Sequence, residues 1–468
     1  MENEHEIKRS LILAGGGVRL AYHAGVLQAL EQAGISFNHV DGTSGGIFGT
    51  AMMASGVSPT EAAKRWRNLN LKGFMRILPI KNYLSRHNLE AMGSADGIRK
   101  KIFPGLGIDL TKINALNALN ATFNVCNFSN KRIESIPHNE VTEDHLIAGM
   151  SLPIFMPAIK IKTDWYTDAV WIKDANLTEA INREAEEIWL IWCIANTRSY
   201  LNGALNQYVH MIEMSANGGL FTEIELLQQI NLQRLQNSLK PIQLHIIKPE
   251  YPLPLDSDFL LNHINADTLI NMGYADASQY ILNRLPFNMA MDFSQSTSMK
   301  QPGITVHFRQ QFKGRIMLNG KNRTASIHLS FFLREINMQV VTTCYSSISC
   351  DTENFISGYQ NQVVNAGNGV IQPEFIFIFN KQKYVMKVEI KMKNLIDFLL
   401  GLECKTAVVS LIKNGNDLEK SLFIQPALNR VINLFYLYTI AELSWIKKRE
   451  AKLRILKTLF KTHLKNST

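Results

Sequence analysis

The chain has no cysteines paired at CxxC spacing. Its five cysteines, Cys126, Cys193, Cys344, Cys350 and Cys404, stand apart and are odd in number, which argues against a disulfide framework and fits a reducing compartment. It has no long apolar run either. A membrane-spanning helix needs roughly 18 to 20 consecutive apolar residues, and the nearest approach, from Val431 to Trp445, is broken by Asn433 and Glu442. No Sec-type leader is expected: the opening MENEHEIKRSLILAGGG is acidic, and its apolar run reaches the glycines after a few residues. Internal repeats are absent, and the asparagine-rich stretch from Ile113 to Asn124 is only a mild bias. Acidic residues are the minority charge, 40 against 49 lysines and arginines, for a net charge of +9. These absences describe a soluble protein, cytoplasmic or peripheral to a membrane. Export by a specialised secretion machine would leave no trace of this kind. Neither a nucleic-acid partner nor a metal or cofactor is called for.

What is present is enough chain for two domains, 468 residues with 46% hydrophobic residues. As far as about residue 295, strand-like and helix-like runs alternate. Ser10 to Ala14 runs into Gly15-Gly16-Gly17, and Ala24, Leu27, Leu30 and Ala33 then recur at helical spacing. A short strand ends near Asp41, and Ile47 to Ser55 continues as a helix. Ser58-Pro59-Thr60-Glu61 is a helix start, with a serine cap, proline at the first helical position and glutamate three residues on. Ile188 to Ile194 suits a buried parallel strand. Such alternation predicts an α/β layered domain with a mainly parallel sheet over 11–295. From about residue 300 to 425 a smaller β-rich domain is expected. It has a turn at Asn319-Gly320, and Tyr384, Met386, Val388, Ile390 and Met392 alternate with Val385, Lys387, Glu389 and Lys391. From Pro426 the pattern turns helical. Eight lysines and arginines lie between Lys447 and Lys465, with Leu453, Leu456, Phe460 and Leu464 at helical spacing among them. This predicts a basic amphipathic helical tail, either lying on a membrane surface or docked on the β domain.

The chemistry centres on "HVDGTSGGIFGT", residues 39–50. Ser44 stands in Gly42-Thr43-Ser44-Gly45-Gly46, between a strand and a helix. That is the context of a nucleophile elbow, where the glycines relieve a tight, strained turn and the helix N-terminus faces a developing anion. The competing reading is a glycine-rich loop with an idle serine. A second glycine cluster, Gly15-Gly16-Gly17-Val18-Arg19, also joins a strand to a helix and offers backbone N–H groups to an anion. A dinucleotide fingerprint would need a third glycine where Leu20 stands, and an acid where Asp41 belongs to the elbow. An oxyanion hole built from the amides around Gly16 and Gly17 fits better. Arg19 would brace the loop, meet a phosphate or simply lie on the surface.

Gly-Gly-Gly-x-Arg followed by Gly-Thr-Ser-Gly-Gly resembles the patatin-like phospholipase family. A third motif extends the resemblance: Ser151-Leu152-Pro153-Ile154-Phe155-Met156-Pro157, then Asp168-Ala169-Val170 in the place of the family's Asp-Gly-Gly/Ala. The match runs over roughly residues 11–182. Leu20 and Ala169 depart from it, each replacing a glycine. The resemblance implies a Ser–Asp dyad without histidine, Ser44 as nucleophile and Asp168 as general base. It implies a lipid acyl hydrolase working through an acyl-enzyme on phospholipid or another acyl-ester lipid, at a peripheral membrane surface. An acyltransferase or thioesterase with the same dyad, or a weakly active lipid-binding scaffold, are the alternatives. Burial would make the aspartate a better base, and Ile154, Phe155, Met156, Trp165, Tyr166 and Trp171 are candidates to bury it or to pack the core. Asp164 lacks the motif context, and Asp174 reads as a helix or loop cap. His210 and His245 read as packing or loop residues. Leu71 to Arg86, mixed apolar and basic, reads as a lid, an interfacial patch or a plain helical insertion.

Overall fold

A computed structural model describes residues 7–69, 76–77, 91, 93–194, 198–200, 202–253, 265–283, 293–337, 339–351, 354–367, 370–392, 404–426, 438–440 and 445–464. The chain forms two compact units, one of residues 1–262 and 280–299, the other of residues 263–279 and 300–468.

The first unit is built on a mixed sheet. Its strands are β1 (Arg9–Leu13), β2 (His39–Thr43), β3 (Asn120–Asn127), β4 (Arg132–Pro137), β5 (Ile159–Ile161), β6 (Asp164–Asp168), β7 (Glu187–Ile191) and β8 (Gln243–Ile247). The order is β8-β7-β1-β2-β3-β6-β5, with β4 beside β3. The five strands from β8 to β3 are parallel, and β4, β5 and β6 add antiparallel pairs at one side. The central strands carry continuous apolar runs because both faces are covered: Leu11, Ile12 and Leu13 in β1 and Ile188 to Ile191 in β7 are fully buried or nearly so. Helices α1 (Ala21–Gln32), α2 (Gly46–Ala54), α3 (Pro59–Asn68), α4 (Glu143–Ala148), α5 (Leu177–Asn182) and α6 (Ala204–Gln236) fill the connections. Helix α3 starts as its sequence dictates, Ser58 Oγ accepting from the Glu61 N–H at 3.2 Å.

Strand β3 decides where the site forms. Along one edge, Thr122 to Asn127 pair with β4. The other edge is shared. Strand β2 occupies it as far as Thr43 opposite Asn124, and β6 enters antiparallel from the far end, with Asp168 opposite Val125. Asp168 therefore arrives at the level where the chain leaves β2 for Ser44.

In the second unit, α7 (Ala266–Asn283) contributes residues up to 279. Strands β9 (Thr305–Leu318), β10 (Lys321–Ile336), β11 (Gln339–Cys350), β12 (Asn354–Ser357), β13 (Tyr359–Gly367), β14 (Val370–Phe379), β15 (Gln382–Lys391), β16 (Thr406–Lys413) and β17 (Asn416–Ile424) form an antiparallel sheet ordered β12-β11-β10-β9-β17-β16-β15-β14-β13. It curls into a near-barrel around one core that includes Phe308, Phe312, Phe331, Phe375, Tyr384 and Met386. The Asn319-Gly320 turn joins β9 to β10 with both residues left-handed, φ 50° and 72°, the geometry that the twist of a hairpin favours.

One sequence expectation meets a different structure here. The region after Pro426 is not helical throughout: Tyr438–Ile440 is a strand, β18, paired with β9 at Thr305 to His307. Trp445–Leu464 is a helix, α8. Of its four spaced apolar residues, Leu456 is buried in the β-domain core beside Ile455, whereas Leu453 is partly exposed. Phe460 and Leu464 fall in its last turns, where side chains lie outside those described. The stretch from Leu71 to Arg86 lies outside the described residues except for Arg76–Ile77, a two-residue strand paired with Gly93–Ser94.

Candidate active site

The elbow is a contact between backbones. Ser44 is left-handed at φ 52°, a conformation that costs a non-glycine residue free energy and turns its side chain out of the strand. A Cβ on Gly46 would lie 1.9 Å from the Leu13 carbonyl oxygen of β1. A Cβ on Gly42 would lie 2.4 Å from Thr50 Oγ1 and 2.9 Å from the Gly46 carbonyl oxygen. Only glycine lets α2 start this close to β1 and β2. Leu20, where the family pattern has glycine, is buried with its side chain over Gly45: a Cβ on Gly45 would meet both Leu20 methyls at 2.7 Å.

Ser44 Oγ donates to Asp168 Oδ2 at 2.7 Å, and both side chains are buried. Asp168 ends β6, and its other oxygen caps the following 3-10 turn by accepting the Val170 N–H at 2.9 Å. Its backbone is fixed from the Ser151-x-Pro153 segment. The Ser151 carbonyl accepts from the Asp168 N–H at 3.1 Å and from Thr167 Oγ1 at 2.5 Å, while Ser151 Oγ donates to the Ile147 carbonyl of α4 at 2.8 Å. Burial pushes the Asp168 carboxyl up to about 7, against the pull of the Ser44 hydroxyl and the Val170 N–H. Among the described residues no histidine hydrogen-bonds either Ser44 or Asp168. His245 stacks on Trp189 with ring centres 4.0 Å apart, and His210 meets Glu213 at 3.3 Å.

The glycine loop passes directly over the serine. A Cβ on Gly15 would lie 2.9 Å from Ser44 Cβ and 2.5 Å from Asp174 Oδ1. The Gly15 N–H is not open to a ligand, because it donates to both oxygens of Asp174, at 2.9 and 3.0 Å. Arg19 is buried and does not lie on the surface. Its Nε and its backbone N–H both donate to the Gly16 carbonyl, at 3.0 and 3.1 Å, and its Nη1 is buried with no hydrogen-bond partner among the described residues. Gly17 and Val18 open the 3-10 turn leading into α1. Asp174, read as a helix or loop cap, holds this loop by accepting the Gly15 N–H. Burial raises its carboxyl to about 8, the nearby Asp168 charge adds to this, and the Gly15 N–H and Arg19 oppose it.

A buried polar chain runs beneath the elbow. Asn124 Nδ2 donates to Asp41 Oδ1 at 2.6 Å and to Thr43 Oγ1 at 2.9 Å, and Thr122 Oγ1 donates to Asp41 Oδ2 at 2.6 Å. Since the Thr122 hydroxyl proton goes to Asp41, His39 Nε2 at 2.9 Å is the donor to Thr122. His39 Nδ1 then accepts from Ser10 Oγ at 3.2 Å. On the other side Asn124 Oδ1 accepts from Asn176 Nδ2 at 2.9 Å and from Ser135 Oγ at 2.7 Å. Asp41, Asn124 and Asn176 thus set the elbow from below.

Of the six apolar residues expected around Asp168, Met156 is buried, but Ile154 and Trp165 are largely exposed. Tyr208 of α6, which nothing in the sequence singled out, forms an aromatic group with two of the others. Its ring lies 5.2 Å from Phe155 and 5.6 Å from Trp171, and its hydroxyl donates to the Pro153 carbonyl at 2.6 Å. Burial, with the Asp168 charge second, pushes its phenol up to about 12. Asp164 turns away, accepting from Asn127 and Asn130 at 3.0 and 3.1 Å.

Among curated proteins, none matches the chain. A solved structure similar to it is that of full-length SpcU in complex with full-length ExoU from the type III secretion system of Pseudomonas aeruginosa, at 17% identity and a TM-score of 0.24. That match covers 59% of this chain and about half of the other, 53%. The family model for patatin-like phospholipase matches residues 11–181. These residues hold both glycine clusters, Ser44 and the Asp168 turn, and over them the chain is similar to the patatin-like phospholipases.

Proposed function

We propose that the chain is a lipid acyl hydrolase of phospholipase A type in which Ser44 and Asp168 form a catalytic dyad. The observation that carries this is the 2.7 Å hydrogen bond from a strained, buried serine hydroxyl to a buried carboxylate. Ser44 Oγ attacks the ester carbonyl of a phospholipid or another acyl-ester lipid while Asp168 takes its proton. The tetrahedral oxyanion is held by loop amides. With the Gly15 N–H committed to Asp174, that task falls to Gly16, Gly17 and Val18, at the positive end of the turn into α1. Collapse returns the proton to the leaving alcohol and leaves an acyl-Ser44. Water, deprotonated by Asp168, then releases the fatty acid and restores the hydroxyl. The raised pKa of Asp168 brings it closer to the strength a general base needs at neutral pH. Asp174 and Arg19 act through the loop, holding its amides in register.

Ser44→Ala and Asp168→Asn are each expected to remove nearly all hydrolysis of a chromogenic short-chain ester, by several orders of magnitude, without unfolding the protein. No single histidine replacement should approach that loss. A His→Ala variant that folds but loses activity by orders of magnitude, while Asp168→Asn keeps it, would make the dyad wrong and require a triad.

A further inference from the structure

The outer face of the second unit's sheet is finished in two different ways. Over β10, β11 and β12 it carries small hydroxyl residues that meet α7: Thr268 Oγ1 and Ser330 Oγ are 2.7 Å apart, Ser347 Oγ donates to Asp267 at 3.1 Å, and Ser357 Oγ donates to Asn271 Oδ1 at 2.8 Å. Ser330 and Ser347 share one face, since cross-strand register places Ser330 opposite Arg309 and Ser347 opposite His328, which itself opposes Gln311. The same parity continues along β9 to Lys313, Arg315 and Met317.

There the texture reverses. Lys313 opposes Ile424 of β17, so Lys313, Arg315 and Met317 share an outward face with Ile424, Leu422 and Lys420, and Leu418 stands exposed at the register shift just beyond them. The inward parity is settled independently, because Phe312, Ile316 and Phe423 lie in the core. Leu422 is 62% exposed, Ile424 55%, Leu418 49% and Met317 41%, and the three cations are exposed beside them. Cationic and apolar side chains thus alternate across two adjacent strands. None of the three cations forms an ion pair among the described residues. Of the acids of β17, Glu419 has the opposite parity and is taken up by the Met317 N–H at 2.7 Å, whereas a register shift pairs Asp417 with Ile412 and leaves it exposed at the end of the strand. An exposed ladder of bulky apolar side chains is costly to leave in water and marks a contact surface.

We infer that this β9/β17 face is a docking surface for an anionic phospholipid membrane. This rests on the lipid-hydrolase reading, which supplies the reason for a lipid partner, but its geometry lies wholly in the second unit. Three exposed cations interleaved with leucine, isoleucine and methionine match a headgroup layer, where long basic side chains reach phosphates and the apolar ones enter the acyl boundary. A second copy of the same face would bring like charges together, which disfavours self-association through it.

The test uses the full chain with Ser44→Ala, so that vesicles stay intact and binding is read apart from hydrolysis. Co-sedimentation is measured with vesicles of phosphatidylcholine alone and of phosphatidylcholine mixed with phosphatidylserine, at low and high salt. The parent is expected to prefer the mixed vesicles and to lose binding as salt rises. Adding Lys313→Gln, Arg315→Gln and Lys420→Gln together should weaken binding to mixed vesicles by roughly tenfold or more. Leu422→Ser with Ile424→Ser should do the same with less dependence on salt, and this pair decides the matter if the triple variant fails to fold. Binding equal to the parent's in both variants overturns the inference. So does unchanged vesicle binding accompanied by a change in oligomeric size, which would assign the face to a second copy. The lipid-hydrolase reading fails separately, if the native chain does not hydrolyse a soluble ester.

Discussion

At the scale of residues, the site is a group of buried polar side chains whose protonation is set by burial. Asp168 at about 7 and Asp174 at about 8 are each raised chiefly by loss of water. A general base must be deprotonated to work. kcat/KM for a soluble ester should therefore fall on acidification through an apparent pKa near 7, tenfold per unit below it, rather than near the ordinary aspartate value of about 4. A pH–rate profile that stays flat down to pH 5 would show that Asp168 is not the titrating base. The roles differ in how far sequence reveals them. Ser44 is legible because an elbow is local: its glycines and its serine fall within five residues. Asp168 is legible only through motif likeness, since nothing nearby marks it apart from Asp164. The clamp from Asp174 to the Gly15 N–H joins residues 159 positions apart in the chain, and the aromatic group around Tyr208 joins two distant segments. No spacing rule reaches contacts of that kind.

Elements carry the precision of the site. The elbow works because α2 starts in contact with β1, and the constraint sits at Gly46. Gly46→Ala would drive a methyl into the Leu13 carbonyl, backbone against backbone, with no flexible group able to yield. The expected cost is about 3 kcal/mol, with activity lost alongside. Gly218, exposed in the middle of α6 with nothing within 4 Å of the place a methyl would take, is the control. Gly218→Ala should be neutral or stabilise by about 0.5–1 kcal/mol. Chemical denaturation of the two variants measures both; equal stabilities would show that the Gly46 contact relaxes freely. Strands and helices with strong periodicity or caps, such as α1, α3, β7 and β15, are readable from sequence alone. β18 is not: it is three residues long and owes its conformation to pairing with Thr305 to His307. Helix α8 shows the limit of amphipathic patterns. Spacing finds an apolar stripe, but whether that stripe meets a membrane or a protein core depends on tertiary packing, and Leu456 is in the core.

At the scale of the whole molecule, the first unit buries ionisable groups that make its stability depend on pH. Asp41 and Asp168 are raised to about 7 and Asp174 to about 8, while His23 and His39 are lowered to about 3, in each case chiefly by burial. The two sets act in opposite directions. In the unfolded chain the carboxyls lose their protons near 4, whereas the folded unit keeps them until about 7 or 8. Between those limits the folded state binds more protons, and stability falls as pH rises. The histidines protonate near 6.5 when unfolded but only near 3 when folded. Between those limits the unfolded state binds more protons, so their contribution is present above 6.5 and is lost as pH falls. From about pH 4 to 6.5 the effects offset each other. Above 6.5 the histidines are neutral in both states and only the carboxyls act, so the melting temperature should decline from pH 6.5 to 8.5. Asp41→Asn, which removes one of the three without touching Ser44, should make that decline shallower. A melting temperature that holds level or rises over this range in the native chain would mean that the three carboxyls are not held protonated by the fold.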